Sequence, residues 1–195
     1  METMETASTQ TLLTPEEYLA RERKALTKSE YRDGRIYAMP GASREHNLIT
    51  GNTLVELHVQ LRNRVCEVYP SNMWVKVSAA GTYTYPDIVV VCDEPLFDDT
   101  YFDTLLNPTV LVEVLSPSTA AYDRGEKFAA YQKLDSLCEY VLISQDSVCV
   151  EHYLRQEQDW DLTEFRSLDD VFSLVSIECE LSLQAIYAKV QFSQE

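Results

Sequence analysis

Two stretches of the chain decide its fold: Pro86-Asp87-Ile88-Val89-Val90-Val91-Cys92 and Val110-Leu111-Val112-Glu113-Val114-Leu115. Each is apolar apart from one carboxylate, and runs of this kind are typical of central strands that are covered on both faces. A carboxylate in or beside such a strand is costly unless it is paired or binds a metal. We therefore expect Asp87 and Glu113 to lie on neighbouring core strands and to converge on one point.

The elements around these strands alternate between helical and extended patterns. Asp33-Gly34 predicts a hairpin turn within residues 30–39, and Ser43 is placed to cap a helix with a broad apolar face that includes Val55 and Val59. Ser116-Pro117-Ser118-Thr119 ends the second core strand and is predicted to cap the next helix. The remaining predicted elements are helices at about 15–26, 120–134 and 182–190, strands at 73–77 and 161–165, and a hairpin of 139–144 with 147–153.

This order of elements predicts an α/β fold with a mixed central β-sheet flanked by α-helices. Residues 1–12 begin with a repeated Met-Glu-Thr and are rich in Ser and Thr, so a disordered N-terminal tail is expected. Residues 13–195 are predicted to form a single domain, because no composition shift marks a boundary.

The composition narrows the class of protein. The 195 residues carry 16 Lys+Arg against 32 Asp+Glu, a formal net charge of -16, which counts against a protein that coats DNA. No apolar run approaches the ~20 residues of a membrane span, and no secretory signal is recognisable, so a cytoplasmic location is expected. A disulfide framework or zinc site is not expected, because the cysteines are odd in number and none are spaced as C-x-x-C: Cys66, Cys92, Cys138, Cys149 and Cys179.

Asp87 and Glu113 together suggest a site for a hard cation, because carboxylate oxygens suit Mg²⁺ or Mn²⁺. Taken singly, each has a plainer explanation. Asp87 follows Pro86 as a strand-entry turn residue would, and Glu113 could be half of an ion pair.

Lys127 is the third candidate. Asp123 and Lys127 are spaced by four residues and share one face of a helix, which by itself suggests a surface ion pair of small energetic value. The helix directly follows the Glu113 strand, however, so the ammonium of Lys127 could reach the same point as the two acids.

These residues resemble the PD-(D/E)xK nuclease superfamily, and in particular its Uma-type family of restriction-endonuclease-like proteins. The similarity runs from about Thr14 to the C-terminus. It is carried by Glu30-Tyr31-Arg32-Asp33-Gly34, His46-Asn47-Leu48-Ile49, Pro86-Asp87, Glu113-Val114-Leu115-Ser116-Pro117-Ser118-Thr119, Asp123 with Lys127 and Tyr131, and Glu139-Tyr140. The chain departs from the superfamily pattern at Leu115, where a lysine is expected, and Lys127 is then the candidate for that role.

The resemblance implies metal-assisted hydrolysis of phosphodiester bonds by a homodimer. Asp87, Glu113 and the Val114 carbonyl would hold Mg²⁺ (or Mn²⁺), and Lys127 would orient the attacking water or help to deprotonate it.

Four further residues are candidates with plainer alternatives. Glu30 is a further acid or a hairpin-edge carboxylate, and His46 contacts substrate or is structural. Ser116 caps the following helix or meets a phosphate there, and Asp123 belongs to the site or to a surface ion pair.

Three functions stay open from the sequence. The first is an active endonuclease on DNA, although the charge of -16 disfavours DNA binding. The second is a catalytically inactive or specialised nuclease-fold protein that acts as a binding or assembly module. The third is a small-molecule hydrolase, for which no nucleophile and base are recognisable.

Overall fold

A six-stranded mixed sheet forms the centre of the molecule, which is a computed structural model that describes residues 12–77, 81–157 and 159–192. Its strands pair in the order β11-β10-β9-β8-β6-β3, and only the pairing of β8 with β9 is parallel. The bounds are β3 (Glu67–Pro70), β6 (Ile88–Val91), β8 (Val110–Leu115), β9 (Glu139–Ser144), β10 (Val150–Gln156) and β11 (Asp159–Phe165). The two stretches that open the sequence analysis are thus the neighbouring buried strands β6 and β8, as predicted.

A second sheet has five strands, most of them from the N-terminal half of the chain, in the order β2-β1-β5-β4-β7. The helix α1 (Pro15–Glu22) begins with a capping box between Thr14 and Glu17. The predicted hairpin is formed by β1 (Ser29–Arg32) and β2 (Arg35–Ala38), and Asp33 and Gly34 have φ of 48° and 83° at its turn. The other strands are β4 (Trp74–Lys76), β5 (Tyr83–Thr84) and β7 (Thr104–Leu105).

The two faces of the six-stranded sheet are covered differently. One face, with Val90 and Val112, packs against α2 (Arg44–Leu61). The opposite face, with Val89 and Leu111, packs against the helical segment that follows β8. Side chains alternate between faces along each strand, so Glu113 shares the second face with Leu111.

The apolar face predicted for α2 is narrower than expected. Ser43 caps the helix through a hydrogen bond from His46 N, as predicted. Leu57 and Leu61 are buried, but Val55 and Val59 are exposed, because the buried stripe follows a spacing of four residues.

The helical segment after β8 has a π-helical turn in its middle. It consists of α3 (Ala120–Tyr122), the π-turn Asp123–Lys127 and α4 (Phe128–Tyr131), and it ends before the predicted residue 134. The N-cap is Thr119, at the end of the predicted capping segment, but its side chain makes no cap bond. The hydroxyl of Ser116 instead contacts those of Ser118 and Thr119.

The C-terminal part contains a hairpin that the sequence did not predict, formed by β12 (Val171–Leu174) and β13 (Cys179–Ser182). The final helix, α5 (Leu183–Ile186), is shorter than the predicted 182–190. The hairpin was missed because Val171 and Ser173 alternate with buried residues over only four positions.

The expectation about disulfides is wrong for one pair of cysteines, because Cys66 is bonded to Cys92. In the antiparallel ladder of β3 with β6, Glu67 lies opposite Val91, so these two cysteines form the next pair along. The two cysteines are 26 residues apart in the sequence, so their pairing could not be predicted from their spacing.

Within the described residues, every helix is too short or too polar to cross a membrane. Residues 1–11, which carry the prediction of a disordered tail, lie outside the described residues.

Candidate active site

Asp87 and Glu113 are brought side by side by strand register. In the antiparallel pair of β6 and β8, Ile88 lies opposite Val112, so Asp87 lies opposite Glu113 at the next position. Directly opposed residues project from the same face with Cβ atoms ~5 Å apart. Asp87 Oδ2 also accepts a hydrogen bond of 2.8 Å from Val114 N, which fixes the aspartate against the strand that carries Glu113.

Lys127 lies on the π-turn, where an ordinary helix was predicted, and its ammonium reaches Glu113. Its ammonium lies 2.8 Å from Glu113 Oε1, 3.1 Å from Glu30 Oε1 and 3.5 Å from Asp123 Oδ1. The Lys127 side chain is only 5% exposed, so the surface ion pair proposed as its plainer explanation is excluded. The candidate acids Glu30, Glu113 and Asp123 therefore surround one buried cation.

Three carboxylates around one ammonium leave an excess of negative charge. The pKa values of Glu113, Asp123 and Lys127 are all raised in this buried cluster. Burial raises the pKa of Glu113 well above its usual value, and Asp123 and Asp87 add to this against the opposing charge of Lys127. Burial likewise raises the pKa of Asp123. Burial opposes the charge of Lys127, yet Glu113, Glu30 and Asp123 outweigh it and hold the pKa of Lys127 well above its usual value.

His46 contacts the site through Asp87. Its Nε2 lies 3.2 Å from Asp87 Oδ2, and the two side chains are 16% and 14% exposed. Burial alone would lower the pKa of His46, but the hydrogen bond and charge of Asp87 raise it overall. His46 is therefore a partner of Asp87, and whether it also contacts substrate stays a prediction.

The acids and Lys127 line the floor of a cavity of about 770 Å³. Its walls come from the β1–β2 hairpin, the N-terminal end of α2, the segment after β8 and the loop after β9. Ser116 lines this cavity, as do His46 and Gln145. Ser43 Oγ lies 2.9 Å from Gln145 Oε1, so two opposite walls are joined by a hydrogen bond.

The groups that hold the floor in place were missed by the sequence analysis. Tyr131 OH lies 2.9 Å from Glu113 Oε1 and 3.0 Å from Thr84 Oγ1, and Tyr85 N donates to Glu30 Oε1 at 3.3 Å. Tyr131 is among the residues that carry the resemblance, and its hydroxyl positions Glu113. Its spacing of four residues from Lys127 was the available signal.

The donor set suits a hard divalent cation, although no group of three or more His, Cys, Asp or Glu side chains in the described residues surrounds a common metal position. Mg²⁺ commonly uses one or two carboxylates, with water and substrate phosphate filling the other positions. Asp87 and Glu113 on opposed strands, facing a cavity, provide such a pair.

The mixed sheet and the carboxylate–lysine cluster define a restriction-endonuclease-like protein. Residues 15–185 match the model of the Uma2 family, whose description is "Putative restriction endonuclease", and the chain belongs to this family.

Two curated proteins and one solved structure are similar to this chain. An uncharacterised protein of Synechocystis sp., sll1609, is 38% identical over 162 residues, which cover 83% of this chain and 92% of that protein. A second one, slr1290, is 37% identical over 181 residues and covers 92% and 94%. A crystal structure from Anabaena variabilis is titled "putative nuclease belonging to DUF820" and superposes on this chain with a TM-score of 0.76 at 19% sequence identity. The superposition covers 92% of this chain and 99% of that one, and it confirms the fold.

Proposed function

We propose that the chain is an endonuclease that uses a divalent metal ion, Mg²⁺ or Mn²⁺, to hydrolyse phosphodiester bonds of DNA. The observation that carries this proposal is the buried cluster of Lys127 with Glu30, Glu113 and Asp123 on the floor of an open cavity, beside Asp87. Buried charges of this number are costly, and perturbed carboxyl groups in a cleft are typical of catalytic sites.

In this proposal, Asp87, Glu113 and the Val114 carbonyl hold the metal. The bound metal would polarise the phosphate and offset charge that builds up during the reaction. It would also offset the negative charge of Asp123 and Asp87, which adds to burial in raising the pKa of Glu113.

Its contacts with three carboxylates and its raised pKa favour one of the two roles that the resemblance implies for Lys127. A lysine that keeps its proton is a hydrogen-bond donor and a positive charge, so we assign Lys127 to orienting water and stabilising the phosphate in the transition state. The water oxygen forms a bond to phosphorus while the ester P–O bond on the opposite side breaks, and the leaving oxygen keeps that electron pair and takes a proton from solvent. The water proton passes to a carboxylate of the floor, and Glu30 is our candidate, because it faces the cavity.

The net charge of -16 limits how DNA can bind. The cavity wall nevertheless carries Lys28, Arg32 and His46 besides Lys127. These local cations support a contact with a short length of the phosphate backbone rather than a broad basic surface.

The test is a cleavage assay with labelled single- and double-stranded DNA in the presence of Mg²⁺ or Mn²⁺. We expect cleavage that stops with EDTA and falls at least about a hundredfold in Asp87→Asn. Asp93→Asn is the matched control, since Asp93 is exposed on the loop after β6. Absence of cleavage, together with a melting temperature that neither metal changes, would refute the proposal.

One observation favours the second function, a catalytically inactive binding or assembly module. Lys127 contacts all three floor carboxylates, so the cluster is held together by an ammonium. A protein of this kind would bind DNA or a partner without cleaving it, and its melting temperature would not respond to metal.

The expected homodimer and cytoplasmic location stay predictions. Light scattering on the purified chain would give its mass in solution, and a monomer at micromolar concentration would rule out a stable dimer.

A further inference from the structure

Arg32 is held in an unusual setting at the wall of the cavity. Its guanidinium carbon lies 3.7 Å from the ring centroid of Tyr37 and 4.0 Å from that of Tyr122, so the group is sandwiched between two aromatic rings. Stacking of this kind fixes the plane of a guanidinium and leaves its N–H groups pointing outward along the edge.

The hydrogen-bonding capacity of this guanidinium is largely unused. Nη1 is 3.3 Å from Glu126 Oε2, and the Glu126 side chain is 84% exposed. Among the described residues, the buried Nε has no hydrogen-bond partner, and Glu126 is the one acceptor found for the whole group. A pair with so exposed a carboxylate contributes little to stability.

An arginine with a structural role looks different in the same molecule. Arg155 donates to the carbonyl oxygens of Leu137, Gln132 and Leu134, at 2.6, 3.0 and 2.8 Å. Arg155 thus ties a loop to its strand through most of its donors. Arg32, by contrast, is oriented by rings and keeps donors free.

Arg32 lies next to the acidic floor of the cavity. Arg32 and Glu30 are two residues apart on β1, so both project from one face of the strand, and both line the cavity. Tyr122 links Arg32 to Lys127 as well, because the Lys127 ammonium is 5.9 Å from the same ring centroid. Arg32 and Lys127 therefore lie close enough to contact neighbouring phosphates of one strand.

We propose that Arg32 binds the phosphate next to the one that is cleaved, and so holds a nucleic-acid strand in register with the floor. This inference rests on the proposed function for the identity of the ligand, and it adds a substrate-binding residue that acts on affinity. A planar, pre-oriented guanidinium matches a phosphate through paired hydrogen bonds, and Tyr37 at the rim offers a ring for stacking a base.

The first experiment observes Arg32 without any catalysis. The ¹⁵N-labelled full chain is kept in EDTA and titrated with single-stranded tetrathymidylate, while the arginine Nε–H resonances are recorded. The Arg32 resonance is identified by its absence in Arg32→Lys. We expect it to shift on titration and those of the other arginines to stay in place; an unmoved Arg32 resonance at saturation would overturn the inference.

The second experiment measures cleavage. For Arg32→Gln we expect KM to rise by on the order of tenfold to a hundredfold, with kcat changed less than threefold, because lost charge-assisted hydrogen bonds weaken substrate binding. Arg62→Gln is the matched control, since Arg62 is exposed at the far end of α2, ~27 Å from the cavity end of this 18-residue helix. Equal KM values for the two variants would contradict the inference.

A third variant separates a binding role from a structural one. Glu126→Gln removes the exposed carboxylate that Nη1 contacts, so we expect tetrathymidylate to bind a few-fold more tightly. The gain should disappear in the double variant with Arg32→Gln. A gain of equal size in that background would assign the effect to general charge and count against Arg32.

The outcomes distinguish this inference from the proposed function. A shifted Arg32 resonance without cleavage by the wild-type chain supports the phosphate site and refutes the nuclease. Cleavage by the wild type that Arg32→Gln leaves intact supports the nuclease and refutes the phosphate site.

Discussion

The central sheet buries two glutamates on neighbouring parallel strands, and the two differ in the face they project from and in their contacts. Glu113 on β8 and Glu139 on β9 are 4% and 0% exposed. Glu139 shares its face of the sheet with Val141, towards α2, whereas Glu113 projects from the other face.

Glu139 is fully occupied by hydrogen-bond partners. Its Oε1 accepts from Ser176 N at 2.7 Å and Ser176 Oγ at 2.6 Å, and its Oε2 is 2.5 Å from His152 Nε2. It is not among the residues that line the cavity. Its carboxylate joins β9, β10 and the hairpin of β12 with β13.

A buried carboxylate in a core strand therefore does not by itself indicate a functional site. Glu113 differs in three respects: it faces a cavity, it shares a cation with two other acids, and its pKa is raised by burial. These differences predict that changes at Glu113 alter activity, and that changes at Glu139 alter stability.

The largest expected effect is on cleavage in Glu113→Gln. This change removes one proposed metal ligand and one partner of Lys127, so we expect activity to fall at least about a hundredfold. The free energy of unfolding should change by less than ~1 kcal/mol, because the change also relieves surplus negative charge. A steady-state cleavage assay with a urea titration measures both, and unchanged cleavage would contradict the assignment.

Next in size is the loss of stability in Glu139→Gln. The amide cannot accept through its nitrogen, so the contact with His152 changes from charged to neutral, and we expect a loss of about 2 kcal/mol. For a domain of this size this corresponds to a melting temperature lower by ~4–8 °C. Cleavage per folded molecule should stay within twofold of the wild type. A selective loss of activity would contradict the assignment of Glu139 to stability alone.

A smaller effect is the pH dependence of metal stabilisation. The folded chain has raised carboxyl pKa values at Glu113 and Asp123, so their protonated forms add stability at low pH that is lost as pH rises above about 4.5. A divalent cation competes with those protons. At one metal concentration, tenfold the dissociation constant measured at pH 8, we expect Mg²⁺ or Mn²⁺ to raise the melting temperature by ~3–5 °C at pH 8 and by less at pH 6.

Glu113→Gln is the matching variant for that measurement, since it removes both the titrating group and a ligand. Calorimetry should record no metal-induced increase in the variant at either pH. An increase that is equal at the two pH values in the wild type would show that the metal binds elsewhere.

The smallest expected effect is at His46. Its raised pKa means that its charged form adds stability that is fully present below about pH 6.5 and lost as pH rises through the folded value. His46→Gln should therefore lower stability by ~1 kcal/mol at pH 6 and by less at pH 8. Urea titrations at the two pH values decide this, and a loss that does not depend on pH would mean that His46 is not charged beside Asp87.

The parts of the site that the sequence predicted are those that follow from local periodicity. Asp87 and Glu113 lie beside or within apolar runs, and Asp123 and Lys127 have helical spacing, so their shared position could be inferred. The resemblance to the Uma-type family supplied the link between these segments.

The parts that were missed depend on pairing between distant segments. The Cys66–Cys92 bond required β3, a four-residue strand ending in Pro70 that has little strand character. The stacking of Arg32 on Tyr122 joins the β1–β2 hairpin to a residue ninety positions further along the chain, so it could not be predicted from either segment. The π-turn at Asp123–Lys127 also has no recognisable sequence signal.

The antiparallel register of β6 with β8 has a consequence for changes in chain length. Asp87 precedes β6, and the connection of residues 92–109 leaves the sheet at the end away from Asp87 and Glu113. Extra residues inserted in that connection would leave the two acids opposed. One residue inserted within β8 ahead of Glu113 would instead turn its carboxylate to the α2 side of the sheet and separate the pair.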